Sequence, residues 1–365
     1  MTIRLRVSMT VLLVLSMFAL AARAAVQNNP PNWALDRIDQ ASGPLDASYS
    51  YTTTGQGVHI YVVDSGINAS HTDFTGRVVL EKDWIGDPAW PYGRDCLKHG
   101  TAVASTAAGT VYGVAKQATI HVHKVVGCAA APDNDDVLLA LELHNYAQAL
   151  GYILWHHQNP AVVNLSYTRM WNNATACSPL MSPSYPNACG EFRQAIENLV
   201  ANGVPVVVAA GNRPGPVGSI CWTKTWCDPY WGCSCNNGYT WNDEFNVSAM
   251  TQANDVVVVG AGFYGSPPTG YLDHRVAGTK YDVDVYAPGQ SLLVASTESP
   301  TATQYFHNTS AAAAVVTGVI ARYLETHPFA TPAQINNWIL ANGSYGTIDY
   351  TPIGNRNYLY MSPLE

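Results

Sequence analysis

Short runs of β-branched and other apolar residues recur along this chain and alternate with segments of helical periodicity. The runs cover Val58 to Val63, Thr119 to Val126, Ala161 to Leu165, Val204 to Val208 and Val256 to Val259. The helical patterns cover Asp135 to Leu150, Gly190 to Ala201 and Ser310 to Glu325, and Thr331-Pro332 with Gly343 brackets another. Fully apolar strands that alternate with helices are buried on both faces, so the pattern predicts an α/β fold with a mainly parallel central sheet.

Size and composition agree with one such domain. The chain has 365 residues, of which 47% are apolar, enough for a sizeable core and incompatible with intrinsic disorder of its bulk. Only 12% are charged and the net charge is -8, the opposite of what a nucleic-acid binder needs. With no linker, charge run or internal repeat in view, we expect one α/β domain.

The amino terminus has the pattern of a secretory signal peptide. Residues 1–24 combine Arg4 and Arg6 with an apolar run from Ser8 to Ala22 and the small-residue sequence Ala22-Arg23-Ala24. The run is shorter than the roughly 20 residues of a membrane-spanning helix, so we expect no membrane anchor. Removing this segment takes away three Arg and no acidic residue, which changes the net charge from -8 to -11. We therefore expect a secreted, acidic product, residues 25–365.

Three polar residues stand where patterned elements end or begin, and in open parallel sheets ligands bind beyond the carboxyl ends of strands. Asp64 ends the first apolar run, and His99 opens a segment of small residues. Ser310 heads an alanine-rich helix whose amino terminus would favour negative charge on a nucleophile. Each alone has an ordinary structural explanation, such as a turn or a helix cap, but the three together point to nucleophilic catalysis.

With these motifs in the order Asp64, His99, Ser310, the chain resembles the subtilisin-like serine proteases, and especially their proteinase K-like branch. Further matching segments are Asn32 to Asp39, Ser70 to Phe74, Ala209 to Asn212 and Asp284 to Gly289. The resemblance covers most of the mature chain. It implies that residues 25–365 form a subtilisin-like peptidase domain, a three-layer α/β sandwich with a mainly parallel central sheet.

The resemblance also implies residue roles. Ser310 would attack the peptide carbonyl, His99 would act as its base, and Asp64 would orient the imidazole. Asn212 would donate an amide hydrogen bond to the tetrahedral oxyanion. We therefore expect a secreted, monomeric serine endopeptidase that acts on polypeptides, needs no cofactor for catalysis and binds neither nucleic acid nor membrane.

Substrate in this family lies extended beside strand ends, as an added strand. The resemblance predicts substrate contacts at Ala130, Ala131, Ser166, Tyr167, Thr168, Ala210 and Gly211. Glycines are usual in the two pairing segments because backbone and substrate approach closely there. Tyr167 and Thr168 are bulkier, so the chain departs from the family at this point.

The eight cysteines divide into three sets. Cys96 and Cys128 match positions that form a disulfide in some proteinase K-like enzymes, and Cys177 with Cys189 is a local pair. The other four lie in a Cys- and Trp-rich insertion at about residues 215–242: Cys221, Cys227, Cys233 and Cys235. Their spacings contain no Cys-x-x-Cys pair, which favours disulfides over zinc, and their pairing stays open. The insertion either shapes the substrate cleft or forms a self-contained lobe.

Several alternatives stay open. Asp133 to Asp136 offers oxygen ligands for a structural calcium ion, although acidic residues at a helix amino terminus explain the segment better. Asn308 stands where the family has Gly. Together with the altered glycine positions of the two pairing segments, it motivates a rival hypothesis of a catalytically weak, subtilase-like binding protein. An esterase of the α/β-hydrolase type is disfavoured because no Gly-x-Ser-x-Gly sequence surrounds Ser310.

Overall fold

The structure is a computed structural model. It describes residues 24–86, 93–128, 136–166, 168–171, 184–212, 215–216, 224–228, 232–235, 243–246, 255–265, 273–276, 280–281, 283–344, 348–349 and 359. The α-helices within these ranges are α1 (Trp33–Ile38), α2 (His99–Ala108), α3 (Asp136–His156), α4 (Ala188–Ala201), α5 (Asn308–Thr326) and α6 (Pro332–Asn342). A single 3-10 turn covers Thr72–Phe74.

The strands within the described ranges are β1 (Ala25–Asn28), β2 (Ser48–Tyr51), β3 (His59–Asp64), β4 (Val78–Asp83), β5 (Thr119–Lys124), β6 (Ala161–Leu165), β7 (Thr168–Trp171), β8 (Val206–Ala209), β9 (Gly215–Pro216), β10 (Lys224–Asp228), β11 (Gly232–Cys235), β12 (Asp243–Asn246), β13 (Val257–Tyr264), β14 (Asp273–Arg275), β15 (Lys280–Tyr281), β16 (Val285–Pro288), β17 (Leu292–Ala295), β18 (Thr303–Phe306) and β19 (Ile348–Asp349).

One large sheet organises these strands. Its order is β19-β14-β13-β8-β6-β3-β5-β4, and β16 also pairs with β13. The pairings from β4 through β13, and that of β16, are all parallel, whereas β14 runs antiparallel to β13. A parallel sheet requires helical crossovers, and these supply the outer layers.

Alternation along β3 shows how the layers are assembled. Ile60 and Val62 point into the core cluster that contains the helices α2 and α5, whereas Tyr61 and Val63 point into the cluster that contains α3 and α4. Because successive strand residues face opposite sides, a fully apolar strand needs cover on both. The predicted three-layer α/β sandwich is confirmed.

The predicted strands and helices all occur, with boundaries shifted by a few residues. The largest shift extends α3 to His156, and α6 begins at a capping box in which Thr331 and Gln334 bond each other's backbone. The edge strand β4 was not predicted from the sequence. Its residues are half exposed and include Glu81 and Lys82, so it lacks the apolar signal of a buried strand.

The insertion at 215–242 contains local strand pairs. The strands β10 and β11 pair antiparallel with Cys227 opposite Cys233, and β9 pairs with β15. The remaining residues of the insertion lie outside the described ranges, among them Cys221. Its role in the cleft or as a separate lobe therefore stays a prediction.

Two of the expected disulfide positions are bonded to each other in the structure. Cys96 and Cys128 form a disulfide with a Cα–Cα distance of 5.5 Å. Cys189 is also disulfide-bonded, while its expected partner Cys177 lies outside the described residues. Within the part of the chain that the structure describes, no helix is long and apolar enough to cross a membrane.

Candidate active site

Neighbouring strands of the central sheet deliver the candidate residues to one edge. Asp64 is the last residue of β3, Ser166 follows β6, and Asn212 lies three residues beyond β8. These three strands are adjacent in the sheet. The helices α2 and α5, which begin at His99 and Asn308, pack together on one face. Parallel strands all end at the same edge, so residues far apart in sequence meet there.

Asp64 and His99 are joined directly. Nδ1 of His99 lies 2.8 Å from Oδ1 and 3.0 Å from Oδ2 of Asp64. The Asp64 carboxylate is buried and also accepts the Ser65 amide at 2.7 Å. The His99 side chain remains 36% exposed, and the Phe306 ring packs edge-on against it at 5.4 Å. The carboxylate therefore fixes one ring nitrogen while the imidazole stays open to solvent.

The environment of His99 raises its pKa above the usual value. The largest single influence is burial, which lowers the pKa because it disfavours the charged imidazolium. The charge of Asp64 and its hydrogen bond outweigh that effect, and the charge of Asp95 adds to them. An imidazole stabilised in its charged form is a stronger base, as a residue that must accept a proton requires.

Ser310 lies in the first turn of α5 and is buried, with 4% of its surface exposed. Its Oγ donates to the Ser166 carbonyl at 3.1 Å. The alanines that follow it are fully buried, and at Gly318 an added Cβ would lie 2.5 Å from the Ala107 carbonyl of α2. Small residues thus allow the helix that presents Ser310 to approach α2 closely.

Asn308 introduces this helix with φ of 70°. That left-handed region is normal for Gly and accessible to Asn at modest cost, so the turn before Ser310 keeps the conformation that glycine ordinarily supplies. The Asn308 substitution, one of the two grounds for the weak-binder hypothesis, is therefore accommodated by the backbone.

Asn212 is held through the residue next to Ser310. Its Oδ1 accepts the Thr309 amide at 3.1 Å and the Thr309 hydroxyl at 2.7 Å. The Thr309 hydroxyl in turn accepts the Gly211 amide at 3.2 Å. Because Oδ1 is directed at Thr309, the donor Nδ2 occupies the other branch of the amide. Sequence reasoning missed Thr309, although its position beside Ser310 was a signal.

The predicted substrate-binding residues are only partly covered. Ala130, Ala131 and Tyr167 lie outside the described residues. Thr168 is the first residue of β7, which pairs with β12. Ser166, Ala210 and Gly211 are buried at the candidate site. The Ala210 amide donates to the Val259 carbonyl at 3.0 Å, so this amide belongs to the sheet.

The described ranges contain no group of three or more His, Cys, Asp or Glu side chains that could hold a metal ion. The calcium candidates Asp133 to Asp135 lie outside those ranges, and only the backbone of Asp136 is described. A structural calcium ion there stays a prediction.

Comparison with known proteins defines the class. Residues 55–352 match the model of the subtilase family, which is most of the chain. The chain therefore belongs to the subtilase family, and it is a serine endopeptidase, as predicted from the sequence.

Individual relatives agree with this assignment. The chain is 35% identical over 345 residues to the extracellular serine proteinase of Thermus sp. (strain Rt41A), a match that covers 93% of this chain and 68% of that relative. It is 28% identical over 349 residues to the alkaline serine exoprotease A of Vibrio alginolyticus, covering 95% of this chain and 53% of that relative. The solved structure of a cold adapted subtilisin-like serine proteinase matches with a TM-score of 0.66 and 26% identity, over 90% of this chain and 97% of that one.

Proposed function

We propose that this serine endopeptidase cleaves peptide bonds through Ser310 as nucleophile, His99 as general base and acid, Asp64 as the orienting carboxylate and Asn212 as an oxyanion donor. The observation that carries the proposal is the direct Asp64–His99 hydrogen bond of 2.8 Å at the sheet edge where α5 presents Ser310. A carboxylate that fixes Nδ1–H leaves the lone pair of Nε2 for the serine proton.

The first step makes the acyl-enzyme. As Ser310 Oγ attacks the substrate carbonyl carbon, its proton passes to Nε2 of His99, and the carbonyl oxygen becomes an oxyanion. Nδ2 of Asn212 and the Ser310 amide would donate to that oxyanion. The imidazolium then protonates the leaving amine as the peptide bond breaks. Attack by water, with His99 again as base, releases the acyl product and restores Ser310.

The hydrogen bond that Ser310 makes in the structure precedes these reaction steps. Its hydroxyl points to the Ser166 carbonyl at 3.1 Å, so the hydroxyl rotates towards His99 before attack. In this rotation the hydroxyl exchanges one hydrogen-bond acceptor, the Ser166 carbonyl, for another, the imidazole of His99. Before substrate binds, Ser310 would therefore donate its hydrogen bond to Ser166 and not to His99.

Substrate would bind as an extended polypeptide along Ser166, Tyr167 and Thr168 on one side and Ala130 and Ala131 on the other, with Ala210 and Gly211 behind the scissile bond. The chemistry proposed uses side chains and backbone amides and needs no cofactor. The catalytic unit would be a monomer, residues 25–365, exported by a signal peptide at 1–24. The name of the Thermus relative, an extracellular proteinase, supports export.

Casein hydrolysis by the wild type and by Ser310→Ala tests the proposal, with cleavage sites mapped by mass spectrometry. The wild type should cleave and should react with a fluorophosphonate probe at Ser310, whereas Ser310→Ala should do neither. The exposed Ser70→Ala is the matched control and should keep both properties. A folded wild type that neither labels nor cleaves would favour the weak binder instead.

A further inference from the structure

A buried carboxylate beside the candidate site has no place in the reaction just described. Asp95 is 1% exposed, and no ion pair to it occurs among the described residues. It lies four residues before His99, next to the Cys96–Cys128 disulfide. Burying a carboxylate without a cationic partner is costly unless hydrogen bonds compensate it, so this residue is expensive to keep.

Four hydrogen bonds compensate the charge. Oδ1 of Asp95 accepts the Ser65 hydroxyl at 2.8 Å and the Leu97 amide at 2.9 Å. Oδ2 accepts the Thr101 amide at 2.9 Å and the Thr101 hydroxyl at 2.6 Å. Two of these partners flank the candidate catalytic pair, because Ser65 follows Asp64 and Thr101 lies two residues after His99.

The start of α2 depends on the same network. The residue before His99 is Lys98, which has φ of 65° and makes no side-chain cap hydrogen bond. The first amides of a helix need acceptors from elsewhere. Here Gly100 donates to Ser65 Oγ at 3.0 Å, and Thr101 donates to Asp95. The helix that begins with His99 is therefore capped by Ser65 and Asp95, which lie beside the candidate catalytic pair.

We propose that Asp95 is a positioning residue for the proteolytic reaction. Its carboxylate binds both the end of β3 and the first turn of α2, and so sets the geometry of Asp64 and His99. It touches neither substrate nor the reacting atoms. The inference rests on the proposed function of His99 and Asp64. Displacement of a catalytic group by even 1 Å can lower a rate about 100-fold, so holding both ends has a direct catalytic consequence.

A matched control lies at the other end of the same helix. Asp73 is 2% exposed and accepts the Ser105 hydroxyl at 2.8 Å and the Val111 amide at 2.7 Å. It therefore resembles Asp95 in burial and in hydrogen bonding, but it holds the carboxyl end of α2, away from His99. If Asp95 had a merely structural role, both substitutions would lower stability and neither would change kcat or the pH profile.

The test compares Asp95→Asn with Asp73→Asn by kcat and KM on a peptide substrate, the pH profile of kcat/KM, and thermal unfolding. In Asp95→Asn the new NH2 group faces two donors in either orientation of the amide, those of Thr101 or those of Ser65 and Leu97, so we expect kcat to fall about tenfold or more with KM nearly unchanged. The acidic limb should also move to lower pH, because a charge that raises the pKa of His99 is lost. Asp73→Asn should lower the unfolding temperature and leave kcat and the limb unchanged.

The pH readout depends on few other groups. The charges that raise the pKa of His99 are those of Asp64 and Asp95. Lys98, beside it in the chain, is paired with Glu298, and His307 next to Phe306 accepts the Ser291 amide. Asp64, Lys98, Glu298 and His307 are unaltered in both variants, so a shift confined to Asp95→Asn reports on the charge of Asp95.

A second pair of variants covers the case in which Asp95→Asn does not fold. Thr101→Val keeps the amide bond to Asp95 but removes the hydroxyl bond to Asp95 and the one accepted from the Asn68 amide, and we expect a severalfold loss of kcat that Thr101→Ser, which keeps both, restores. Unchanged kcat and pH profile in every folded Asp95 and Thr101 variant would overturn the inference. If Ser310→Ala remained fully active, the proposed function itself would fail. An inactive Ser310→Ala together with normal folded Asp95 and Thr101 variants would reject only the role of Asp95.

Discussion

Asp64 and His99 share a direct hydrogen bond of 2.8 Å, whereas Ser310 gives its hydroxyl hydrogen to the Ser166 carbonyl at 3.1 Å. The first pair joins the end of β3 to the start of α2. On the other side of the site, the start of α5 is joined to the end of β8 through Thr309 and Asn212. In the Asp64–His99 half of the site, the side-chain contact is already made. In the Ser310 half, hydrogen bonds fix the backbone, but the Ser310 hydroxyl must still rotate towards His99 in the proposed reaction.

The difference reflects what each half must do. In the proposed reaction, orientation of the base can be completed before substrate arrives, because Asp64 is buried and would keep its contact with His99 throughout. A nucleophile must move towards the substrate carbon, so its resting hydrogen bond is with a neighbour that it can leave. Rigid support combined with one mobile hydroxyl is what the proposed chemistry requires.

The largest effect is expected from Asp64→Asn, which breaks the first half. An amide at this position favours the wrong imidazole tautomer, so kcat should fall about 10⁴-fold. Steady-state hydrolysis of a peptide substrate measures it. The control is Asp46→Asn, which changes an exposed carboxylate whose hydrogen bonds among the described residues come from Ser48, and it should behave as wild type. Activity within tenfold of wild type would contradict the role of Asp64.

In the second half the corresponding change is Asn212→Ala. Loss of an oxyanion donor lowers kcat by about 10²–10³ while leaving KM nearly unchanged, because the bond forms only in the transition state. Separate kcat and KM values check this. The exposed Asn202→Ala serves as control. An effect confined to KM would assign Asn212 to ground-state binding instead.

Acid should inactivate the enzyme through His99. Because its pKa is raised above the usual 6.5, kcat/KM should fall about tenfold per pH unit below a midpoint higher than 6.5. Stability has the opposite sign: the charged pair with Asp64 stabilises the fold below pH 6.5, and this contribution is lost as pH rises through the raised pKa. A midpoint at or below 6.5 in the kcat/KM profile would be inconsistent with this coupling.

Thr309→Val sharpens the comparison at a single hydroxyl. Valine has the same shape but cannot bond Asn212 or Gly211, so the amide of Asn212 loses one of its supports. One hydrogen bond contributes about 0.5–1.5 kcal/mol, which corresponds to at most about a tenfold loss of kcat. Thr309→Ser should recover most of that loss. If Val and Ser behave alike, the hydroxyl does not support Asn212.

The smallest effect is expected from Asn308→Gly. Glycine accepts φ of 70° without steric cost but gains more freedom in the unfolded chain, so stability should change by less than about 1 kcal/mol. Asn308→Ala should be destabilised by about 1–2 kcal/mol in urea unfolding, since Ala disfavours the left-handed region. Equal stability of the Ala and Gly variants would show that this turn is not strained.

Some of the candidate site residues could be predicted from the sequence, and others could not. Asp64, His99 and Ser310 stand at the ends or starts of strongly patterned elements, so pattern and family resemblance identified them together. Thr309 and Asp95 carry no pattern of their own, because their importance consists in partners distant in the chain, Asn212 and Ser65. The strand β4 escaped prediction for a related reason: as a half-exposed edge strand it owes its conformation to pairing with β5.

The sequence alone determined the alternation of buried strands and helices, the three motifs in order and the family to which they belong. These are local properties, set by side-chain type and spacing along the chain. Only the tertiary structure decided that the Asp64–His99 contact is already made, that Ser310 rests against Ser166, and that Asp95 caps the helix of His99. Such contacts depend on directions and distances between elements, which arise when the parallel sheet brings its strand ends to one edge.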